Sequence, residues 1–204
     1  MRWVRRMVSE LIVLPILRIG YKLEVRGTEH LADSAQPYLI IGNHNMHMDA
    51  WMLFRALPRK LRYRMAIAAA ASDIFGSRFR GLAASFLGNA FPFSTDGTGV
   101  RESLEHISKL LDEGESVLLF PEGRLTVLGP MQSFGKGTSW VAVNSGVAVL
   151  PMRIDVVRPG FREGRWLPHP RASVRISIGK PITFAKGTSY AEATAVLEHA
   201  VLTA

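Results

Sequence analysis

The sequence predicts a single α/β domain, with a mostly parallel or mixed central sheet flanked by helices and an N-terminal amphipathic helical segment. Three observations carry this. Short apolar runs bounded by Gly or Pro, as at residues 38–41 and 116–120, read as buried strands. Helical apolar periodicity fills intervals between them, most clearly over residues 100–113. Strands and helices alternate along the whole chain, the order of βαβ units. The 204 residues contain no internal repeat, low-complexity stretch or linker, so the simplest division is residues 1–20 as the appendage and 21–204 as the domain.

Residues 1–19 read as one amphipathic helix. Val4, Met7, Val8, Leu11, Ile12 and Leu14 fall on one broad face; Arg2, Arg5, Arg6, Ser9 and Glu10 fall on the other, with Trp3 near the boundary. Such a helix suits the headgroup layer of a membrane, and a basic helix packed on its own domain is the plain alternative. Residues 21–26 form the first strand, ended by Gly27. Residues 38–41 form the second, followed by a loop over 42–48. Asp49 then stands at the N-cap of a helix over 50–57 that stops before Pro58. Residues 63–68 read as a strand, 76–87 as a helix broken by Gly81, and 90–93 as a short apolar strand. The helix over 100–113 presents Val100, Leu104, Ile107 and Leu111 on one face, with Thr98 to cap it and Gly114 to stop it. Strands at 116–120, 147–154 and 172–178 and helices at 137–144 and 190–202 complete the order.

Composition narrows the function. Lys and Arg number 25 against 17 Asp and Glu, a net charge of +8, and 48% of residues are hydrophobic. Mean hydropathy is +0.12. A chain this apolar can offset its ordering entropy, which excludes general disorder. The absence of cysteine excludes a disulfide framework, thiolate catalysis and Cys-ligated zinc. Basic and mildly hydrophobic together suit an anionic membrane surface. A nucleic-acid binder fits less well, since no motif is present and the basic clusters carry few interleaved aromatics. Those clusters are the N-terminal arginines, the group Arg55, Arg59, Lys60, Arg62 and Arg64, and the segment 153–175 with its six arginines. No run approaches the ~20 apolar residues of a spanning helix, and no small-residue cleavage site marks a secretory signal.

Two loops follow apolar strands, where open α/β sheets place ligands. In the first, residues 42–49, His44 is a candidate general base and Asp49 a candidate partner for its second ring nitrogen. Five positions on a continuous helix turn through about 500°, so the two meet only in a strand–loop–helix context. A polar loop histidine beside a capping aspartate is the bland reading; His47 is a rival base, and His44, His47 and Asp49 are also types that bind divalent ions. No G-x-S-x-G elbow is present. A His–Asp pair lacking an enzyme nucleophile fits direct activation of a substrate hydroxyl. The second loop, Phe120-Pro121-Glu122-Gly123-Arg124, sets a planar guanidinium at a strand end, suited to phosphate, with a surface turn and a solvated arginine as alternatives. Lys136 follows at a helix start. The Gly spacing there is not that of a nucleotide P-loop.

At these residues the sequence resembles the glycerolipid (lysophospholipid) acyltransferase family, typified by bacterial 1-acylglycerol-3-phosphate acyltransferases. Asn43, His44 and Asp49 match its N-H-x4-D motif. Phe120-Pro121-Glu122-Gly123 matches the start of its F-P-E-G-T-R-S motif, Val147-Ala148-Val149-Leu150-Pro151 its apolar strand ending in proline, and Val25-Arg26-Gly27-Thr28-Glu29-His30-Leu31 its lead-in. The resemblance implies acyl transfer from acyl-CoA or acyl carrier protein to a glycerolipid hydroxyl in phospholipid biosynthesis or remodelling. It implies no metal or redox cofactor, and a peripheral, monotopic place on the cytoplasmic face of an anionic membrane. By that likeness His44 is the base, Asp49 its partner, and Glu122, Gly123 and Arg124 hold the acceptor's phosphate. Apolar residues in 66–71 and 74–87 could shape the acyl groove. Two motifs depart from the family: Ser94 stands where its G-x-x-F-I-x-R motif has arginine, with Arg101 able to compensate, and Arg124 falls one place early. This variant is more like the domains that reacylate lysophosphatidylethanolamine, whose phosphodiester needs fewer arginines. Alternatives are a non-phosphorylated acceptor and a non-catalytic lipid- or acyl-CoA-binding module.

Overall fold

The first twenty residues fold as helix, but not as one uniform helix. In the computed structural model, which describes residues 2–31, 36–72, 74–97, 99–126, 129–158 and 172–204, α1 (Arg2–Val8) and α2 (Leu14–Gly20) flank a π-helical turn over Ser9–Val13. Pro15 is the physical reason: it has no N–H to donate and its ring crowds the preceding turn, so the helix takes up an extra residue just before it. Leu14 N–H accordingly reaches the Ser9 carbonyl. The packing inverts the usual amphipathic arrangement. The polar side meets the domain: Ser9 is fully buried, the Tyr63 hydroxyl donates to Glu10 at 2.7 Å, and Arg6 lies over the Tyr63 ring. Trp3, Val4, Met7, Leu11, Ile12, Ile16 and Ile19 are exposed, while Leu14 and Leu17 reach the core.

Among the described residues, seven strands make one sheet in the order β1-β7-β6-β2-β5-β3-β4. They are β1 (Tyr21–Arg26), β2 (Leu39–Gly42), β3 (Met65–Ala70), β4 (Ala90–Phe93), β5 (Ser116–Leu119), β6 (Val149–Arg158) and β7 (Ala172–Ile178). Strands β2 to β6 are mutually parallel; β7 runs antiparallel to β6, and β1 runs parallel to β7. The sheet is therefore mixed: five parallel strands run from β6 to the β4 edge, and β7 and β1 run opposite to them on the other side. Successive β2 residues point to opposite faces, as the strand period requires. Ile40 joins a core with α3 (Asp49–Ala56), whose Met52, Leu53 and Phe54 are buried. Leu39 and Ile41 join a second core with α6 (Gly99–Asp112), α7 (Lys136–Ser145) and α8 (Tyr190–Thr203). Helices thus cover both faces of the sheet.

Three expectations shift. The strand predicted over 63–68 begins at Met65, because a short helix the sequence reading missed, α4 (Arg59–Arg62), and a turn occupy the residues before it. The 55–64 basic cluster is partly structural: Arg62 donates to the carbonyls of Leu57 and Arg55 at the end of α3, Arg55 to those of Leu17 and Tyr21, and Arg59 pairs with Glu10. In the 153–175 cluster, Arg153 pairs with Asp155 and Arg175 with Glu24; residues 159–171 lie outside the described residues, as does the proposed cap Thr98. The remaining helix, α5 (Arg78–Gly88), leads into β4.

Candidate active site

The two motif loops leave adjacent parallel strands. After β2 the chain crosses to α3 on one face of the sheet; after β5 it crosses to α7 on the other. Strand ends whose connections part to opposite faces leave a crevice between them. Gly42 closes β2 where space is short: an added Cβ would lie 3.2 Å from both Leu53 Cδ1 and the Met152 carbonyl oxygen.

His44 and Asp49 meet in that crevice. His44 Nδ1 lies 2.9 Å from Asp49 Oδ2. The same oxygen accepts the backbone N–H groups of Asn45 at 2.5 Å and Met46 at 2.8 Å. Asp49 is the first residue of α3 rather than its N-cap, which is Met48, and its carboxylate turns back to organise the loop behind it. The expected cap is thus corrected: three donors converge on Asp49 from the preceding residues, so it has no need of the helix's own amides. Its side chain has no exposure, and Oδ1 is buried without a hydrogen-bond partner among the described residues. Burial raises its pKa, against the opposing pull of His44 and the two amides. The His44 ring is 22% exposed and stacks on Phe120, with centroids 4.2 Å apart and planes 13° apart. An Nδ1–H donated to Asp49 leaves the Nε2 lone pair as the basic site. His47, the rival base, is exposed, and Asp49 holds His44 instead.

Backbone ties fix the loop. Asn43 donates to the Ile154 carbonyl at 2.9 Å and accepts its N–H at 2.7 Å, fastening the loop to β6. Asn45 donates to the same carbonyl. Glu122 couples the two motif loops: Oε1 accepts His44 N–H at 2.7 Å, and Oε2 accepts Gln132 N–H at 2.8 Å and the Thr126 hydroxyl at 3.3 Å. Thr126 N–H in turn reaches the His44 carbonyl. Both carboxylate oxygens are therefore engaged with neighbours that position the histidine.

The other predicted residues lie at varying remove. Gly123 adopts φ +67° in the turn after β5, where a side chain would be strained, and its N–H goes to the Phe120 carbonyl. A Cβ added at Gly123 would meet the methyl of Thr95, the residue after Ser94, at 3.9 Å. Ser94 is half-buried, its N–H held by the Ser103 hydroxyl, and Gly99 packs against its side chain. Arg124 is exposed and donates to Gln132 Oε1 at 2.9 Å. Arg101 is engaged by Glu105 at 2.7 Å on α6, which raises its pKa. Lys136 is exposed at the start of α7. Sequence reasoning missed Gln132, which carries no motif signal, and the roles of Thr126 and Phe120, which stand at the two ends of the second-loop motif. Among the described residues no three His or carboxylate side chains gather to hold a metal ion.

Fold and site together define an α/β protein that holds a histidine–aspartate pair at a strand end, the aspartate buried and the histidine partly exposed. The chain belongs to the acyltransferase family, whose model, described as Acyltransferase, matches residues 22–155. It is 32% identical over 165 residues to the chloroplastic 1-acyl-sn-glycerol-3-phosphate acyltransferase LPAT1 of Arabidopsis thaliana, covering 79% of this chain and 44% of that protein. It is 27% identical over 192 residues to the 1-acyl-sn-glycerol-3-phosphate acyltransferase of Pseudomonas aeruginosa, covering 91% and 64%. The chain thus spans about half the length of the curated relatives it matches. Its fold is similar to that of the 1-acyl-sn-glycerophosphate acyltransferase PlsC of Thermotoga maritima, with a TM-score of 0.73 at 22% identity over 99% of this chain and 78% of that one.

Proposed function

We propose that this protein transfers a fatty acyl group from an acyl thioester, coenzyme A or acyl carrier protein, to the hydroxyl of a lysophospholipid at the cytoplasmic face of an anionic membrane. The observation that carries the reading is His44, held through Nδ1 by a buried Asp49 with Nε2 facing away from it. Nε2 takes the acceptor's proton as its oxygen attacks the thioester carbonyl. The tetrahedral adduct collapses, the C–S bond breaks, and the proton passes from Nε2 to the departing sulfur. Asp49 balances the transient imidazolium. Glu122 acts here as a positioning residue, through the His44 amide.

The relatives' names supply lysophosphatidate as the first acceptor to test. The sparse free cations around the crevice suit a singly charged phosphodiester equally, because Arg101 and Arg124 already have side-chain partners. A panel of lysophosphatidate, lysophosphatidylethanolamine and a non-phosphorylated long-chain alcohol with one acyl-CoA separates these. A phosphorylated acceptor is expected to lead the alcohol by at least about tenfold in kcat/KM, one charge-assisted hydrogen bond's worth. Equal turnover of the alcohol would move the reading to a non-phosphorylated acceptor.

Membrane attachment is supported by the outward apolar side of α1 and α2. It adjoins α5, where Phe79, Leu82 and Phe86 are also exposed. Among the described residues no helix is long and apolar enough to cross a membrane. Leu11→Glu/Ile16→Glu alters exposed positions and leaves Leu14 and Leu17 in the core. It is expected to lower sedimentation with anionic vesicles by at least about tenfold, since burying one large apolar side chain is worth about 1.5–3 kcal/mol. Unchanged sedimentation of the folded variant would contradict the attachment.

A further inference from the structure

Three cations surround a cleft of ≈ 860 Å³ where α2, β1 and α3 meet. Arg18 lies in the last turn of α2, Lys22 is the second residue of β1, and Arg55 reaches in from α3; Tyr21, Val157 and Ser173 complete much of the wall. Arg18 and Lys22 are exposed. Among the described residues no carboxylate pairs with any of the three. The acids nearby in the fold are committed: Glu10 to Arg59 and Tyr63, Glu24 to Arg26 and Arg175, Asp155 to Arg153. Among the described residues Arg55 hydrogen-bonds through Nη1, to the carbonyls of Leu17 and Tyr21, and Nε and Nη2 remain as donors. Partial burial, and after it the charges of Arg18 and Arg62, press its pKa down.

We infer that this cleft binds the phosphate of a lipid headgroup, as a site separate from the motif residues of the crevice. Three uncompensated cations around one concavity lower their mutual repulsion by taking up an anion, and Arg and Lys together supply the donors a phosphate accepts. The lipid source follows from placement. Ile16 and Ile19, exposed on the same turns of α2 as Arg18, continue the apolar side of the N-terminal helix, so a headgroup lying beside that helix faces the cleft directly. That source rests on the proposed membrane reading; the phosphate chemistry does not.

The test is calorimetric titration of the full chain with dihexanoyl-phosphatidate, a water-soluble lipid, and separately with inorganic phosphate. Arg18→Gln/Lys22→Gln removes two exposed cations and spares Arg55, which supports the end of α2. Lys180→Gln/Lys186→Gln is the charge-matched control, since these residues lie past the end of β7 opposite its start beside Tyr21. Saturable binding that weakens by about tenfold or more in the Arg18/Lys22 variant and not in the control supports the site. Tighter binding of the lipid than of inorganic phosphate identifies a headgroup; equal affinity identifies a free-phosphate site of the same chemistry. Absence of saturable binding, or equal affinity in the Arg18/Lys22 variant and the wild type, overturns it. The titration is repeated with His44→Ala, whose binding is expected to be unchanged, so failure of the acyl-transfer reading would leave this result standing.

Discussion

His44→Ala is expected to lower the rate of acyl transfer by about 10²–10⁴, the usual share of a positioned general base. The fold should survive. The ring is partly exposed, and Asp49 Oδ2 keeps the amides of Asn45 and Met46 after the imidazole is gone. The cost in stability is therefore about 1 kcal/mol, measured as a small shift of the urea midpoint. A folded variant that retained full activity would end the proposed role of His44.

Asp49→Asn separates catalysis from stability more sharply. Asparagine is nearly isosteric, and its carbonyl oxygen can accept the Asn45 and Met46 amides as Oδ2 does now. It cannot balance an imidazolium, so transfer should again fall by about 10²–10⁴. Stability should move the other way. Asp49 has no exposure, one oxygen has no partner, and burial raises its pKa above the ordinary value of 3.8. The folded chain therefore holds this proton more tightly than the unfolded chain, and ionising the group costs folding free energy. Above the raised pKa the wild type bears the whole cost, so the variant should match or exceed it in urea midpoint near neutral pH. As pH falls from the raised value toward 3.8, wild-type Asp49 becomes protonated, the cost fades, and the two midpoints converge. A variant that lost both activity and several kcal/mol of stability would show Asp49 to be a structural anchor instead.

The sequence carried the elements well where periodicity was strong. The strand at Tyr21–Arg26 and the alternating Ala172–Ile178 fall at their predicted bounds, and α6 and α8 differ by a residue at each end or one. Strand direction was not legible, because alternation is the same whichever way a strand runs; the antiparallel β6–β7 pair emerges only in the sheet. The meeting of His44 and Asp49 was legible from a strand, a loop and a helix start in that order. The orientation of Asp49 was not, since an aspartate before a helix reads as a cap until three donors behind it outbid the helix amides. Glu122 illustrates a related limit. Its motif marks it as part of the site, but only the packing of two adjacent loops turns its oxygens toward His44 and Gln132. Charge runs were the least decisive. Arg59 and Lys60 look alike in sequence, whereas in the fold the former pairs with Glu10 across to the N-terminal helix, Arg62 closes the end of α3, and Arg55 closes α2.

The central claim is that His44 passes an acceptor's proton to a thiol as the acyl group moves. Following free thiol and acylated lipid together in one reaction tests it most directly. With lysophosphatidate and an acyl-CoA, the wild type is expected to release one thiol for each lipid acylated, and His44→Ala neither. Thiol release at the same rate without any acceptor, or at the same rate in His44→Ala, would contradict the account.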